Sequence, residues 1–262
     1  MSNDHGAVPE SSFIRDQIHD LIRWTLTALA ERATEFEHGF AVRTGSLPWV
    51  WTLNQVRITG SVSPDEVDAL ASQFQGDLPF RHVVVEGDLG AALVDPLGAT
   101  GWWSEREVVM AMTRPVDREV DTSRVVELSE TQMLALMRDW LREEREGITD
   151  DGLDQVGEYN RLEGELFNET RLGVVEGGTP LAVTKLRARD GIAWVEDVYT
   201  APTWRGQGIA RALIAEAVER AWLTPPRFAY IIADDNDWPK DFYSRAGFEP
   251  VAYNYTFHRD HG

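Results

Sequence analysis

No cysteine occurs among the 262 residues, so neither a disulfide nor a thiolate takes part in the fold or the chemistry. Basic residues are scarce, with Lys+Arg at 25 against Asp+Glu at 44, a formal charge of −19. That charge repels phosphate backbones and anionic headgroups, which sets nucleic acid and membranes aside as partners. Long apolar runs are missing too: none reaches the roughly 18 residues of a membrane span. The opening MSNDHGAVPESS has no basic segment leading into an apolar one, so no secretion signal is expected and the chain reads as cytoplasmic. What is present, 43% hydrophobic and 10% aromatic residues, is the composition of a folded protein. The length suits one large domain or two of about 100–150 residues. The acidity reads first as a solvated surface, and it also admits a cationic ligand.

Apolar residues at three- and four-residue spacing (Phe13, Ile14, Ile18, Leu21, Ile22, Leu26, Leu29) predict a first helix from Ser11 to about Glu37. Strand-like runs follow at 49–59, 82–87 and 106–113, with a short helix at 65–74 framed by Ser63 and Glu66 as a capping box. The polar, charged stretch PVDREVDTSR places a domain boundary near residue 120. Beyond it come a strand at 125–128, a helix from Ser129 and a more acidic helix at 152–167. Three antiparallel strands at 170–176, 180–189 and 192–200 follow, turning at GG and DG. A helix at 207–222, a strand at 227–233, a helix at 238–245 and a terminal strand pair complete an α+β pattern. An offset of 146 carries Pro79, Arg81, Asp88, Asp95 and Gly101 onto Pro225, Arg227, Asp234, Asp241 and Gly247. Strand, acidic loop, short helix, Gly-aromatic turn and strand thus occur twice in the same order, which points to an internal duplication.

The stretch most informative about chemistry is Val198 to Leu213. Pro202 ends a strand, and a loop holding Arg205, Gly206 and Gly208 runs straight into a helix. Such a junction presents unpaired N–H groups and the positive end of a helix dipole, both of which favour a phosphate. Glycine lets the ligand approach the backbone, and arginine adds permanent positive charge. A plain chain reversal is the alternative for an isolated GxG.

Here the loop resembles that of the GCN5-related N-acetyltransferase (GNAT) superfamily, Arg/Gln-x-x-Gly-x-Gly/Ala, in Arg205, Gly208 and Ala210. Downstream, Asn236, Phe242, Tyr243, Gly247 and Phe248 match a second signature of that family, although Pro239 stands where Ala is usual. The resemblance covers about residues 123–258 and implies two GNAT-like domains, a catalytic one at 121–262 and a degenerate one at 1–120. It implies acetyl-CoA as co-substrate, held by Arg205, Gly206, Gln207, Gly208, Ile209 and Ala210. Main-chain atoms of Val198, Tyr199 and Thr200, together with Asn236, would lie along the pantetheine arm, and Tyr243 would protonate the leaving thiolate.

The general base stays open between Glu196, Asp197, another carboxylate and water. In the histone-acetyltransferase branch of the family the base stands eleven residues before the loop arginine, where this chain has Trp194; the resemblance therefore implies Glu196, two residues further along the face that alternation gives Trp194, Val198 and Thr200, with Asp197 on the other face. The 146 offset sets Thr59, Gly90 and Leu97 where Arg205, Asn236 and Tyr243 stand, so the first half would be non-catalytic; an unrelated α+β domain is the other possibility. The six histidines (5, 19, 38, 82, 258 and 261) lack ligand spacing, and no metal is expected. Glu143, Glu144, Glu146, Asp150, Asp151 and Asp154 form an acidic run that could receive a cationic amine or simply face solvent. The expected activity is acetyl transfer to a primary amine of a small cationic acceptor in a ternary complex. A protein lysine or N-terminal amine is the alternative acceptor, and a catalytically silent acetyl-CoA-binding module the alternative function. A homodimer is admissible.

Overall fold

The computed structural model describes residues 10–115, 119–145, 147–237 and 239–260. Linker residues 116–118, Glu146 of the acidic run, Trp238, His5 and His261 lie outside the described residues.

Helix α1 (Ser11–Leu29) is followed by a hairpin of β1 (Arg32–Phe36) and β2 (Gly39–Arg43), then by β3 (Val56–Ile58), α2 (Pro64–Gln75), β4 (Phe80–Glu86), α3 (Val94–Gly98) and β5 (Trp103–Met112). The second half holds β6 (Val125–Glu127), α4 (Glu130–Glu144), α5 (Asp150–Leu166), β7 (Asn168–Glu176), β8 (Thr179–Arg189) and β9 (Ile192–Thr200). It continues with α6 (Ile209–Leu223), β10 (Phe228–Asp234), α7 (Pro239–Arg245) and β11 (Glu249–Asp260). The fold is α+β, and the order strand, strand, strand, helix, strand, helix, strand from β1 to β5 recurs from β7 to β11.

Both halves share one sheet, ordered β1-β2-β3-β4-β11-β5-β10-β9-β8-β7-β6. The last strand of each half is exchanged: β11 lies between β4 and β5, and β5 lies between β11 and β10. Where β5 and β11 run antiparallel, Glu107 faces Asn254 and Val108 faces Tyr253. The offset of 146 exchanges these two pairs with each other, so a pseudo-twofold relation passes through this crossing.

Helix α1 spans the junction. Its Ile14, Ile18 and Leu21 pack on Val109 and Ala111 of β5, Phe228 and Tyr230 of β10, and Ala252 of β11. Separate cores lie under α2 and α3 in the first half and under α6 and α7 in the second.

Several expectations need correction. Helix α1 stops at Leu29, because Arg32–Phe36 pairs with Gly39–Arg43 as a hairpin whose ladder outcompetes another helical turn. Phe13, read as part of the apolar face, is 45% exposed beneath the Arg227 guanidinium. The run at 49–59 is strand only at Val56–Ile58. Buried Asn54 turns the segment before it by donating to the carbonyls of Leu47 and Val50, both at 2.9 Å, and accepting from the Thr44 N–H at 3.0 Å. The terminal strand pair is one strand, bulged between Pro250 and Ala252 where proline has no N–H to give the ladder. The capping box of Ser63 and Glu66 forms as the spacing predicts, and Ser129 with Gln132 makes a second.

Candidate functional site

Strands β9 and β10 are parallel neighbours, but their pairing covers only Ile192–Trp194 and Phe228–Tyr230. Past that point the strands splay. A cavity of about 610 Å³ opens there, lined on one side by Val195, Glu196, Asp197 and Val198 and on the other by Ile231, Ile232, Ala233 and Asp234. Tyr243 and Pro239 of α7 reach it, and the first half contributes Trp51, Gln55, Arg57, His82 and Glu107.

A bulge in β9 overturns the strict alternation read from the sequence. Lys185 faces Glu196 and Val183 faces Tyr199, so Asp197 and Val198 together oppose Thr184. Asp197 sits in the left-handed region at φ 54°, a conformation worth roughly 1–2 kcal/mol of strain for a non-glycine residue. The Thr184 hydroxyl donates to the Glu196 carbonyl at 2.9 Å within the bulge. In consequence Glu196 and Asp197, expected on opposite faces, both reach Lys185 Nζ, at 3.4 and 2.5 Å.

Beneath these carboxylates lies a buried ionic network that the sequence reading missed. Lys185 and Arg187 are 1% and 0% exposed. Arg187 contacts Glu163 at 2.7 Å, Glu169 at 2.8 Å and Glu196 at 2.5 Å, while Lys185 donates to Asn160 Oδ1 at 2.6 Å. Tyr159 donates to Glu163 at 2.6 Å. Burial works against the Lys185 ammonium, but Asp197 and Glu196 beside it keep it above its ordinary value. Burial pushes the Glu196 carboxyl up to about 7 despite Arg187 and Lys185, with Asp197 and Glu163 adding repulsion. Burial, seconded by Asp197, pushes the Tyr243 phenol up to about 12, so it stands protonated at neutral pH. The signal available for this network was the basic period of two in Lys185, Arg187 and Arg189, a pattern that ordinarily marks a solvent-facing strand surface.

At the far end of β9, Gly206 and Gly208 adopt φ of 77° and 78°, the left-handed region in which glycine carries no steric penalty. A Cβ at either position would meet no atom within 4 Å. Gly208 is the N-cap of α6 and no side chain caps that end, leaving its first N–H groups for a ligand. The residues present therefore fit a pyrophosphate. Arg205 leans over the Tyr199 ring, donates to the Thr200 carbonyl at 2.9 Å and meets Glu143 at 3.2 Å. Tyr199 stacks on Trp140 and donates to Glu143 at 2.9 Å.

The predicted residues thus separate into groups. Glu196, Val198 and Tyr243 meet at the cavity, while Arg205, Gly206, Gln207 and Gly208 form the exposed loop into α6. Ile209 anchors that helix in the core, Ala210 is half-buried, and the Thr200 hydroxyl is buried without a hydrogen bond. Asn236 is exposed in the turn after β10, its N–H donating to Asp234 Oδ1 at 2.8 Å. Much of the acidic run is neutralised: Arg138 and Arg142 hold Asp150 at 3.6 and 3.0 Å, and Arg138 holds Asp154 at 2.5 Å.

The sequence model of the acetyltransferase (GNAT) family matches residues 134–248, which span this loop, the splay and Tyr243. The chain carries a GNAT acetyltransferase domain. No curated protein sequence matches the chain significantly. Among solved structures, a conserved protein of unknown function from Staphylococcus epidermidis superposes with a TM-score of 0.67 at 14% identity, covering 92% of this chain and 100% of that one. A GCN5-related N-acetyltransferase from Kribbella flavida gives 0.58 at 17% identity over 98% and 97%. A tandem GNAT protein from the clavulanic acid biosynthesis pathway gives 0.51 at 13% identity over 75% and 69%. These likenesses extend the GNAT fold over both halves. The GNAT helix α6 is open at its N-terminus, whereas its counterpart α2 is closed by its own Ser63 and Glu66.

Among the described residues no group of three or more His, Asp and Glu side chains could hold a metal ion, and no helix is long and apolar enough to cross a membrane. The histidines are less scattered than they read: His82 and His258 are cross-strand partners with Nδ1 atoms 3.1 Å apart. Burial, followed by the charges around them, holds both below the ordinary imidazole value, His258 at about 4.

Proposed function

We propose that the protein is an acetyl-CoA-dependent N-acetyltransferase that moves the acetyl group to a primary amine of a small cationic acceptor by direct attack in a ternary complex. Residues 121–262 would form the catalytic domain and residues 1–120 a non-catalytic one that walls the acceptor site. The observation that carries this reading is the cavity at the splay of β9 and β10, where a carboxyl raised to about 7 and a protonated phenol share one space.

Acetyl-CoA, when bound, supplies the thioester that makes acyl transfer favourable. Arg205 and the N–H groups around Gly206–Ala210 would hold its pyrophosphate. Main-chain atoms of Val198, Tyr199 and Thr200 on the splayed edge would hold the pantetheine arm, with Asn236 near it. Glu196, directly or through water, would take the proton from the attacking ammonium, and a value near 7 suits that task. Tyr243 would give its proton to the departing sulfur. The acceptor would enter from the side lined by Trp51, Gln55 and Glu107.

Calorimetric titration with acetyl-CoA followed by an amine screen for CoA release tests the proposal. Saturable binding with turnover is expected. Binding without turnover on a broad panel favours a silent acetyl-CoA-binding module, and no binding overturns both readings.

A further inference from the structure

A row of polar residues crosses the junction between the halves on one face of the sheet. Register places Glu86 of β4 beside Asn254 of β11, Asn254 beside Glu107 of β5, and Glu107 beside Asp234 of β10. Cross-strand partners project to the same side about 5 Å apart, and Asn254, Glu107 and Asp234 all line the cavity.

The row is not self-satisfied. Glu86 is spent on Arg57 and on His19, 3.0 Å away. The Glu107 side chain makes neither an ion pair nor a hydrogen bond, and Asn254, 1% exposed, has a buried Oδ1 with no partner. Gln55, 3% exposed, lines the same space with its Oε1 unpartnered while its amide nitrogen donates to the Thr52 carbonyl at 2.7 Å. A buried polar atom without a partner costs on the order of 1–3 kcal/mol, which a ligand group filling it would restore.

The unspent charge favours one sign. Glu163, Glu196 and Asp197 are all paired with Arg187 or Lys185, three carboxylates on two cations, and Arg57 is paired with Glu86. Among the described residues lining the cavity, that leaves the carboxylates of Glu107, Glu144 and Asp234 without an ion pair, against the single guanidinium of Arg145, which lies 4.5 Å above the Trp51 ring. Among the described residues lining the cavity, Arg57 Nη2 is the one buried donor without a partner.

We infer that Glu107, with Asn254 Oδ1 and Asp234 on either side, forms a subsite for a second ammonium group of the acceptor, so that the preferred acceptors are diamines rather than monoamines. The inference rests on the acetyltransferase reading for the fate of the first amine, and not for the binding of the second. An ammonium brings three N–H donors to three adjacent oxygen-bearing side chains, and it supplies the counter-charge that Glu107 lacks. Burial, with Glu105 and Asp234 opposing its ionisation and Arg57 favouring it, pushes the Glu107 carboxyl up to about 7 in the free protein, so binding a cation there would release a proton. The subsite is built from the first half's β5 and from β10 and β11 of the second half.

The test is calorimetry on the full chain with α,ω-diamines of two to six carbons and the n-alkylamines of equal length, at pH 7 and low salt. The diamine of best length is expected to bind at least tenfold more tightly than its monoamine, with binding heats that depend on buffer ionisation. Glu107→Gln is expected to bring that diamine down to the monoamine's affinity while leaving Tm unchanged or higher, since it removes an unpaired, partly buried carboxylate. Equal affinity of diamine and monoamine in the unaltered protein, or a diamine preference that survives Glu107→Gln, would overturn the subsite. Diamine-selective binding lost in Glu107→Gln, but with no acetyl transfer, would uphold the subsite and sink the acetyltransferase reading instead. Transfer to monoamines and diamines with equal KM would do the reverse.

Discussion

Glu143 bridges Arg205, at 3.2 Å, and the Tyr199 hydroxyl, at 2.9 Å, so an acidic residue of α4 holds the one permanent cation of the α6 loop. A phosphate arriving at that loop competes with Glu143 for Arg205.

Arg205→Ala is therefore expected to weaken acetyl-CoA binding by about tenfold, roughly the 1.4 kcal/mol of one charge-assisted contact. Glu143→Gln is expected to strengthen it a few-fold. Both residues are substantially exposed, so both effects should shrink between low and physiological salt. Titration calorimetry at two ionic strengths reads this directly, and a loss of affinity in Glu143→Gln would mean that the carboxylate positions the guanidinium rather than competing for it.

Tyr243→Phe is expected to lower kcat by about 10²-fold, the low end for general acid catalysis, and to leave the Kd for acetyl-CoA within a factor of two. Tyr243 packs against Phe248 in a T-shaped contact that phenylalanine preserves, so Tm should hardly move. An unchanged kcat removes the phenol from the reaction.

The pH profile should show an acidic limb in kcat/KM centred near 7, because Glu196 must be ionised to take a proton and burial holds its carboxyl at about that value. Glu196→Gln should abolish the limb together with most of the rate. Stability carries the opposite sign. A carboxyl raised above its ordinary 4.5 binds its proton more tightly in the folded chain, so its contribution is full below about 4.5 and is lost as pH rises to about 7. Urea midpoints measured from pH 4.5 to 8 should fall across that window, less steeply in Glu107→Gln.

Glu86→Gln leaves the Arg57 guanidinium, 5% exposed, without its counter-ion and is expected to cost about 3 kcal/mol. The Glu86 carboxyl is held at about 2: burial alone would raise it, and His19 and Arg57 overcome that. Its contribution is therefore present above about 4.5 and lost as pH falls toward 2. Chemical denaturation at pH 7 and pH 3 compares Glu86→Gln with the unaltered protein, and the difference should narrow at the lower pH.

Acetyl-CoA should bind one per chain. The N-terminus of α6 is open, whereas Ser63 closes that of α2 and Asp65 and Glu66 lie in its first turn. A calorimetric stoichiometry near two would overturn the division between an active and an inactive half.

Periodicity and turn residues carried most of the element order: one-sided burial imposes the 3.6-residue face of α4, and the turns at Gly177–Gly178 and Asp190–Gly191 mark off β7 to β9, although β8 is buried on both faces from Leu181 to Arg187. Periodicity overran in α1, where Arg32–Phe36 becomes helical or extended according to whether β2 is there to pair with it. The loop into α6 and the short helix carrying Tyr243 were legible as local structure, because Gly206 and Gly208 mark a left-handed turn and Pro239 suits a first helical turn. The bulge was not legible: Asp197 adopts φ 54° for reasons set by its neighbours in the sheet, and one such residue moves Asp197 onto the face of Glu196. Lys185 and Arg187 drew no functional reading from the sequence, because nothing local reveals that Glu163 of α5 lies against Arg187. Nor could a local pattern say that β11 inserts between β4 and β5.

That insertion has a bearing on how the molecule comes into being. Strand β4 borders β11, the last strand of the second half, so during synthesis the edge it presents has no neighbour until the second half has been made. The first half would emerge with its sheet incomplete, and its β5 would wait for partners on both sides. Low early protection of β4 and β5 amides from hydrogen exchange, gained in one late step with β11, would be the signature of a molecule assembled from its last strand inward.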